Sequence, residues 1–293
     1  VWGKVQQPFP GRVMYSPTHH VLQGADAQVL TVHDLISLRF SRQHPTQHLY
    51  FRHILPRELT RCRAVFTVSE TTKLDIHEAY GFPLDRIWVV PNGVDRDVFR
   101  PAETPVEREP FLLVVGAAFP HKNVEELIRE AECWRDRYRL VVVSCRGRYR
   151  RQLEELVEAA GLGTRVELIE YASLAELVHL YQTCAAFIYP SRWEGFGIPP
   201  LEALACGAPV VVSDIPAHRE VLGDHARFVR LGDSSDWGRV LGSLDQPAPA
   251  PRTESPLARF TWARSSQLLV QSLREVEPRL GVTYARAATA SVA

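Results

Sequence analysis

Short apolar runs alternate along the chain with segments in which apolar residues recur at helical spacing. The runs are rich in Val, Ile, Leu and Phe and hold few polar positions, which is typical of parallel strands covered on both faces. We predict ten strands, at 12–17, 27–34, 63–70, 86–93, 111–118, 139–145, 165–171, 185–191, 208–214 and 226–231. Helical spacing predicts helices at 46–60, 71–80, 124–135, 151–160, 173–183, 199–206, 217–222 and 261–276.

Strands that alternate with helices in this way indicate an α/β fold with doubly wound parallel sheets. The pattern is interrupted at 99–110, a stretch rich in proline and charge. We therefore expect a partial N-terminal Rossmann-like domain at 1–108, a complete one at 109–258, and a final helix with a tail at 259–293. The chain begins at Val1 and its only methionine is Met14, so we expect it to lack an N-terminal portion.

Composition narrows the range of functions. The 293 residues include 34 Lys+Arg and 34 Asp+Glu, so no global charge attracts nucleic acid, and we expect no nucleic-acid partner. The five cysteines form no CxxC pair and lie mostly in apolar stretches, which favours buried free thiols and the cytoplasm. No apolar run has the length of a membrane helix.

Ligands of doubly wound sheets bind beyond the carboxyl ends of the strands. Three polar segments follow strands of the second domain there: Gly116–Asn123, 170–173 and the segment after the strand at 185–191. In the last, Glu194 precedes a helix start and Glu202 falls in its first predicted turn, with Gly195, Gly197 and two prolines between them. The prolines preset a helix, and free N–H groups at 196–198 suit a phosphate.

Binding free energies indicate which parts of a ligand each group of this site would bind. A helix N-terminus contributes only about 0.3–2 kcal/mol towards an anion, whereas micromolar binding needs about 8 kcal/mol. Lys122 can supply a point charge to the phosphates. Glu202 would repel phosphate but can accept hydrogen bonds from a ribose diol, as acidic residues of dinucleotide folds do, and Glu194 can bind hydroxyls of a second sugar. The segment thus predicts a nucleotide-sugar site.

The stretch EGFGIPPLEALACGAPVV strongly resembles the E-x7-E signature of family 4 retaining glycosyltransferases, which have the GT-B fold of two Rossmann-like domains facing a cleft. Similar stretches extend over nearly the whole chain: VLTVHDLISLRF, VFTVSETTKLDI, VVPNGVD, VVGAAFPHKN, LYQTCAAFIYPS and FTWARSSQLLVQSL. The order of these stretches along the chain identifies the family more specifically than any one motif does. The chain most resembles the mannosyltransferase-like branch that builds lipopolysaccharide or exopolysaccharide.

The resemblance implies a role for each matching position. Glu194 would contact hydroxyls of the transferred sugar and Glu202 the ribose, while Lys122 would bind the diphosphate. His33 would face the sugar from the first domain, and the segment around Tyr171 would hold the base. The backbone at Gly116, Phe196, Gly197 and Ile198 would line the donor site. The final helix, which opens at Trp262, would return to the first domain.

The implied reaction is metal-independent transfer of a hexose from a nucleoside diphosphate sugar, with GDP-mannose as the guessed donor, to a glycan or glycolipid hydroxyl. No covalent nucleophile stands out, so a front-face mechanism is implied, with His33, Lys122 and Glu194 as the catalytic residues. No cofactor is expected, contact with a membrane surface stays open, and the oligomeric state is unknown.

Two departures from the family pattern matter. Many members carry arginine where this chain has Ala117, so Arg192 or His121 would have to assist Lys122. The family's N-terminal strand and glycine-rich loop have no counterpart before Val1. A donor-binding module without turnover, an epimerase and a phosphorylase therefore stay open as alternatives.

Two other motifs have simpler interpretations. The DRD at 95–97 imitates a metal motif but follows PNGV, where a turn is expected, and we predict no metal site. The basic run RGRYRR at 146–151 is predicted to be a solvated loop, with an anionic acceptor or membrane contact as the alternative.

Overall fold

A computed structural model describes residues 13–21, 27–246 and 251–279. Its strands form two parallel sheets. The first contains β1–β4 in the order β1-β2-β3-β4, with the bounds Val13–Ser16, Ala27–Val32, Cys62–Thr67 and Ile87–Val89. The second contains β5–β10, with the bounds Glu109–Val115, Arg139–Val143, Val166–Ile169, Cys184–Tyr189, Val210–Ser213 and Arg227–Val229. The α/β class and the parallel sheets are confirmed.

The second sheet has the order β10-β9-β8-β5-β6-β7, so the direction of winding reverses between β5 and β8. Successive residues of β5 bury into opposite faces of the sheet. Leu113 and Val115 pack into one core, and Leu112 and Val114 pack into the other. Both faces are therefore covered, as the continuous apolar runs predict. A crevice at such a reversal is where doubly wound sheets bind ligands.

The helices of the described residues are numbered α1–α12 along the chain. Their bounds are Ile36–Arg39, Pro45–Leu49, Leu55–Leu59, Glu70–Tyr80, Val124–Arg129, Gly147–Ala159, Leu174–Thr183, Ile198–Ala205, Pro216–Leu222, Ser234–Gly242, Pro256–Arg259 and Trp262–Arg279. A π-helical segment, Tyr50–Ile54, joins α2 to α3, so residues 45–59 form one continuous helix.

Local chemistry accounts for where two of these helices begin. Ser69 caps α4 by accepting from the N–H of Thr72. Ser173 and Glu176 form the reciprocal capping box that the sequence predicts for α7. These short polar signals fix helix starts because they satisfy N–H groups that lack a partner within the helix.

The helix predictions are wrong at several places. The basic run at 146–151 is not a loop, since Gly147 is the first residue of α6. Three helices were not predicted: α1, α11 and α10, whose amphipathic face buries Trp237. The predicted helix at 124–135 ends early at Arg129 and continues as a short 3-10 turn. The tail at 284–293 lies outside the described residues.

The last helix packs on the first sheet. Leu269, Leu273 and Val276 of α12 contact a cluster that includes Val29 of β2 and Phe66 of β3. The chain therefore crosses back to the first half, as the resemblance implies. No helix among the described residues is long and apolar enough to cross a membrane.

Candidate active site

The site is built where β5 and β8 separate. Gly116 follows β5, and its N–H donates to the carbonyl of Val143 at 3.0 Å. The turn that it opens ends in the 3-10 segment Pro120–Lys122, after which Asn123 in the left-handed conformation starts α5. This turn brings Lys122 across the end of β8.

Lys122 is the central cation of the crevice. Its Nζ donates to Oε1 of Glu194 at 2.6 Å and to the hydroxyl of Tyr189 at 2.8 Å. Burial works against the charged form, but contacts with Tyr189 and Glu194 outweigh it and raise the pKa of Lys122. Because an ammonium group has three donors, one N–H is left for a ligand.

Glu194 is the matching anion and is only 6% exposed. Burial pushes the pKa of Glu194 upward, but Lys122, with smaller contributions from Ser191 and His218, more than compensates and holds it below its usual value. The carboxylate is therefore ionised and oriented without a ligand. The sequence brings these two residues to the same crevice, but does not predict that they pair.

The start of α8 faces the same crevice. Gly197 has φ of +93°, a conformation that side chains disfavour, and it caps the helix with no side-chain hydrogen bond. Pro199 and Pro200 have no N–H, so the N–H groups at 196–198 are the donors that this helix start can offer to an anion. The side chain of Phe196 is buried against Phe260, so it can offer a ligand only its backbone.

Glu202 is the fifth residue of α8, one residue further from the helix start than predicted, because α8 begins at Ile198. Its Oε2 accepts from the hydroxyl of Tyr181 at 3.0 Å. Burial raises the pKa of Glu202, and the hydrogen bond from Tyr181 offsets only part of that effect. Tyr181 was missed in the sequence because its partner lies 21 positions away on another helix.

The first domain supplies His33, whose exposed ring places Nε2 3.0 Å from the carbonyl oxygen of Pro17. The same turn presses against the loop that carries Glu194. A Cβ on Gly195 would lie 2.8 Å from Cβ of Asp34 and closer still to the carbonyl oxygen of His33. Only glycine fits there, so this glycine serves contact between the two halves.

Tyr171 follows β7 and lies at the same edge of the second sheet as Gly116, two strands away. Its side chain is 81% exposed. It is not brought into contact with Lys122 or Glu202, and its position allows a planar ring to stack on it.

The two helpers expected for Lys122 are held by other side chains. Arg192 donates to Oδ1 of Asn123 at 3.0 and 2.9 Å, and its guanidinium pairs with Glu125 at 3.4 Å. His121 is buried against Gln43, and burial together with the neighbouring Lys122 lowers its pKa to about 4. Lys122 is therefore the principal cation that the described crevice offers to phosphate.

Contacts between the two halves hold the Glu194 loop, and sequence reasoning missed them. Ser69 and Thr72 at the start of α4 donate to the carbonyl of Gly195 at 2.5 and 3.2 Å. Glu220 of α9 accepts from the N–H groups of Glu70 and Thr71 at 2.7 and 2.9 Å.

A second group of contacts clamps Trp193, the neighbour of Glu194. Its indole N–H donates to Asp75 at 3.1 Å, and the Arg39 guanidinium lies 3.6 Å from its ring centroid. Arg39 also pairs with Asp75 at 2.7 Å. The loop is thus held from both sides, which suits a residue that must stay oriented.

The DRD segment is a turn, in which Oδ1 of Asp95 accepts from the N–H of Asp97 at 3.0 Å. Within the described part of the chain, no group of three or more His, Cys, Asp or Glu side chains could hold a metal ion.

Both halves of the chain match known glycosyltransferase families. Residues 12–98 match the family described as Glycosyltransferase Family 4, and residues 95–236 match Glycosyl transferases group 1. The O-antigen chain mannosyltransferase RfbU of Salmonella typhimurium is 34% identical over 268 residues, covering 91% of this chain and 75% of that protein. The chain belongs to the family 4 glycosyltransferases. O-antigen chain mannosyltransferase B of Escherichia coli is 29% identical over 72% of this chain, which spans 59% of that relative.

Solved structures show that this glycosyltransferase has the GT-B fold. Anabaena HepE in complex with UDP and glucose matches with a TM-score of 0.72 at 20% identity, covering 85% of this chain and 71% of that one. Sucrose-phosphate synthase from Thermosynechococcus elongatus matches with a TM-score of 0.69 at 19% identity, covering 91% and 74%. The fold and family inferred from the sequence are confirmed.

Proposed function

We propose that this family 4 glycosyltransferase transfers a hexose, with mannose as the proposed sugar, from a nucleoside diphosphate sugar to a hydroxyl of a glycan or glycolipid, retaining the anomeric configuration. The observation that carries the proposal is the buried Lys122–Glu194 pair beside the uncapped start of α8, with Glu202 further along that helix. The mannosyltransferase names of RfbU and of its E. coli counterpart support the choice of sugar and of a polysaccharide product.

Each of these groups would bind a different part of one nucleotide-sugar donor. The third N–H of Lys122 and the backbone N–H groups at 196–198 would bind the diphosphate, Glu194 would bind hydroxyls of the transferred sugar, and Glu202 would bind the ribose. Tyr171, being exposed, would stack against the base. HepE, whose structures contain UDP and UDP-glucose, shows that this fold can accommodate such a donor.

In the proposed reaction, the bond from C1 of the sugar to the diphosphate breaks while C1 bonds to the acceptor oxygen on the same face. The acceptor proton passes to the departing phosphate oxygen. Lys122 would stabilise the charge that develops on the leaving diphosphate, which is where a fixed cation accelerates a reaction most. His33 would contact the sugar from the first domain. No step requires a metal.

A screen of GDP-, UDP- and ADP-sugars by thermal shift tests this proposal. One nucleotide sugar should raise the melting temperature, because ligand at 100 times its Kd adds about 2.7 kcal/mol to the free energy of unfolding. GDP-mannose is the donor we expect. Release of GDP, alone or with octyl α-D-mannopyranoside as acceptor, then separates turnover from a binding module. If no nucleotide sugar shifts the melting temperature, the donor site is wrongly assigned.

We further propose that the enzyme works in the cytoplasm against an anionic membrane surface. All five cysteines are free, as in a reducing compartment. The continuous helix at 45–59 exposes Leu49 and Ile54, 58% and 45% exposed, beside Arg52 and Arg57. Exposed apolar and cationic side chains on one helix suit an interfacial position.

Vesicle sedimentation checks this contact. The protein should pellet with vesicles of phosphatidylcholine containing anionic phosphatidylglycerol, and replacing both Arg52 and Arg57 by Glu should abolish pelleting because it reverses the local charge. Replacing Arg148 and Arg151, which lie on α6 in the run at 146–151, by Glu is the matched control. If only the α6 variant loses binding, the contact lies on the second domain instead.

A further inference from the structure

Arg192 joins the two segments that carry the central ion pair of the crevice. It lies two positions before Glu194, in the loop after β8, and its side chain reaches the turn that holds Lys122. Its backbone N–H donates to the carbonyl of His121 at 2.8 Å. Its guanidinium donates through Nε and Nη2 to Oδ1 of Asn123 at 3.0 and 2.9 Å. Arg192 therefore contacts both neighbours of Lys122 along the chain.

Asn123 gives Arg192 an acceptor with a fixed orientation. It is fully buried and has φ of 59°, in the left-handed region that asparagine adopts more readily than most side chains. Its Nδ2 donates to Oε2 of Glu126 at 2.7 Å. Because an ionised carboxylate only accepts hydrogen bonds, the amide NH₂ must face Glu126 and the amide oxygen must face Arg192.

Glu126 is in turn anchored in the core of the second domain. Its Oε1 accepts from the indole N–H of Trp237 at 2.9 Å. Trp237 is one of the largest fully buried side chains and packs in one of the two cores beside the second sheet. Arg192 is thus connected, through Asn123 and Glu126, to a side chain that the core holds rigidly.

These contacts bear on the direction of the Lys122 ammonium group. Its Nζ donates to Glu194 and Tyr189, which leaves one N–H for a ligand. The stem of Lys122 crosses from the turn to the loop, so the direction of that third N–H depends on how these two segments lie against each other. Arg192 fixes their relative position. Misplacing a reacting group by about 1 Å can cost about 100-fold in rate.

We propose that Arg192 is a positioning residue, which orients Lys122 towards the diphosphate by holding the turn of Lys122 against the loop of Glu194. The inference rests on the proposed function, because it takes the diphosphate to be the ligand of Lys122. Arg192 assists Lys122 through Asn123 rather than by binding phosphate itself.

The test measures the Kd of GDP by calorimetry in two backgrounds, wild type and Lys122→Met combined with Glu194→Gln. In the wild-type background, Arg192→Met should raise the Kd about 10-fold, because Lys122 loses most of one charge-assisted hydrogen bond. In the second background the same substitution should change the Kd less than about 2-fold, because the cation that Arg192 orients is already absent. Asn123→Gly, which tolerates the left-handed conformation but removes Oδ1, should reproduce this pattern.

Two further variants separate positioning from charge and from stability. Arg192→Lys keeps the positive charge but lacks the rigid fork of two N–H donors, so its Kd should stay close to that of Arg192→Met. Arg108→Met removes a guanidinium that joins two other segments of the second domain by donating to the carbonyls of Cys184 and Gly207. Cys184 begins β8, so this contact lies at the end of the sheet opposite the crevice. Arg108→Met should therefore leave the Kd of GDP within about 2-fold of wild type, even where it lowers the melting temperature.

The opposite results would overturn the proposal. An equal loss of affinity in both backgrounds would mean that Arg192 acts on the diphosphate directly. Full recovery in Arg192→Lys would mean that only its charge matters, and an unchanged Kd in Arg192→Met would mean that it has no role in binding. Failure of the proposed function would be seen separately, because wild type itself would then bind neither GDP nor a nucleotide sugar, and the inference would fall with it.

Discussion

Replacing Lys122 by Met should lower kcat for sugar transfer about 1,000-fold, the upper range for removing one group that stabilises a developing anion. The structure supports so large an effect because Lys122 is the principal cation that the described crevice offers to a diphosphate, since Arg192 and His121 are committed to other partners. Steady-state release of the nucleoside diphosphate measures it. Lys73→Met, which removes a lysine paired with Glu70 at 3.8 Å on α4, should stay within 2-fold of wild type.

The single variant also leaves Glu194 buried without its cation, which costs about 3–5 kcal/mol of stability. A second variant separates stability from catalysis. Lys122→Met combined with Glu194→Gln removes the stranded charge, so the melting temperature should recover while kcat stays low. Recovery of both would mean that Lys122 only supports folding, and its assignment to the diphosphate would fail.

The strand predictions succeed because parallel strands covered on both faces appear in the sequence as continuous apolar runs. All ten predicted runs contain a strand, and the residues of β5 alternate between two buried faces as expected. The helix starting near residue 174 was placed correctly because Ser173 and Glu176 are a local signal. By contrast, α10 was missed although it is amphipathic, because its Ser and Asp residues resemble a loop.

The candidate site, like the fold, could be predicted from the sequence only where the signals are local. The position of Glu194 and Glu202 beside a helix start follows from glycine and proline spacing, which acts locally. The residues that orient these two glutamates do not follow from such spacing, because they come from distant parts of the chain. Lys122 and Glu194 are 72 positions apart, and the bond from Thr71 to Glu220 spans 149. No periodicity or spacing rule encodes such pairs.

These distant contacts connect the donor site to the arrangement of the two halves. The start of α4 holds the carbonyl of Gly195 through Ser69 and Thr72, and Glu220 holds the start of α4 in return. Gly195 directly follows Glu194. The carboxylate that is proposed to contact the transferred sugar is therefore fixed by residues from both halves, so its orientation depends on their remaining together.

Replacing Glu202 by Ala should weaken nucleotide binding about 10- to 100-fold, the value of one or two hydrogen bonds to a charged group. The expected loss follows from the carboxylate's capacity to accept from both hydroxyls of a ribose while the adjacent amides bind phosphate. Titration with GDP measures it. Glu158→Ala, an exposed residue of α6, should not change the Kd, and Tyr181→Phe should have a smaller effect because it removes only the hydroxyl that orients Glu202.

The ionisation of Glu202 supplies an independent check on its role. Because burial raises the pKa of Glu202, wild-type affinity for GDP should begin to fall at a higher pH than an ordinary glutamate would produce as the solution is acidified. The charged form accepts both ribose hydrogen bonds, and protonation removes part of that capacity. Glu202→Ala should lose this pH dependence as well as the affinity. A variant that binds GDP as wild type does across the same pH range would place the ribose elsewhere.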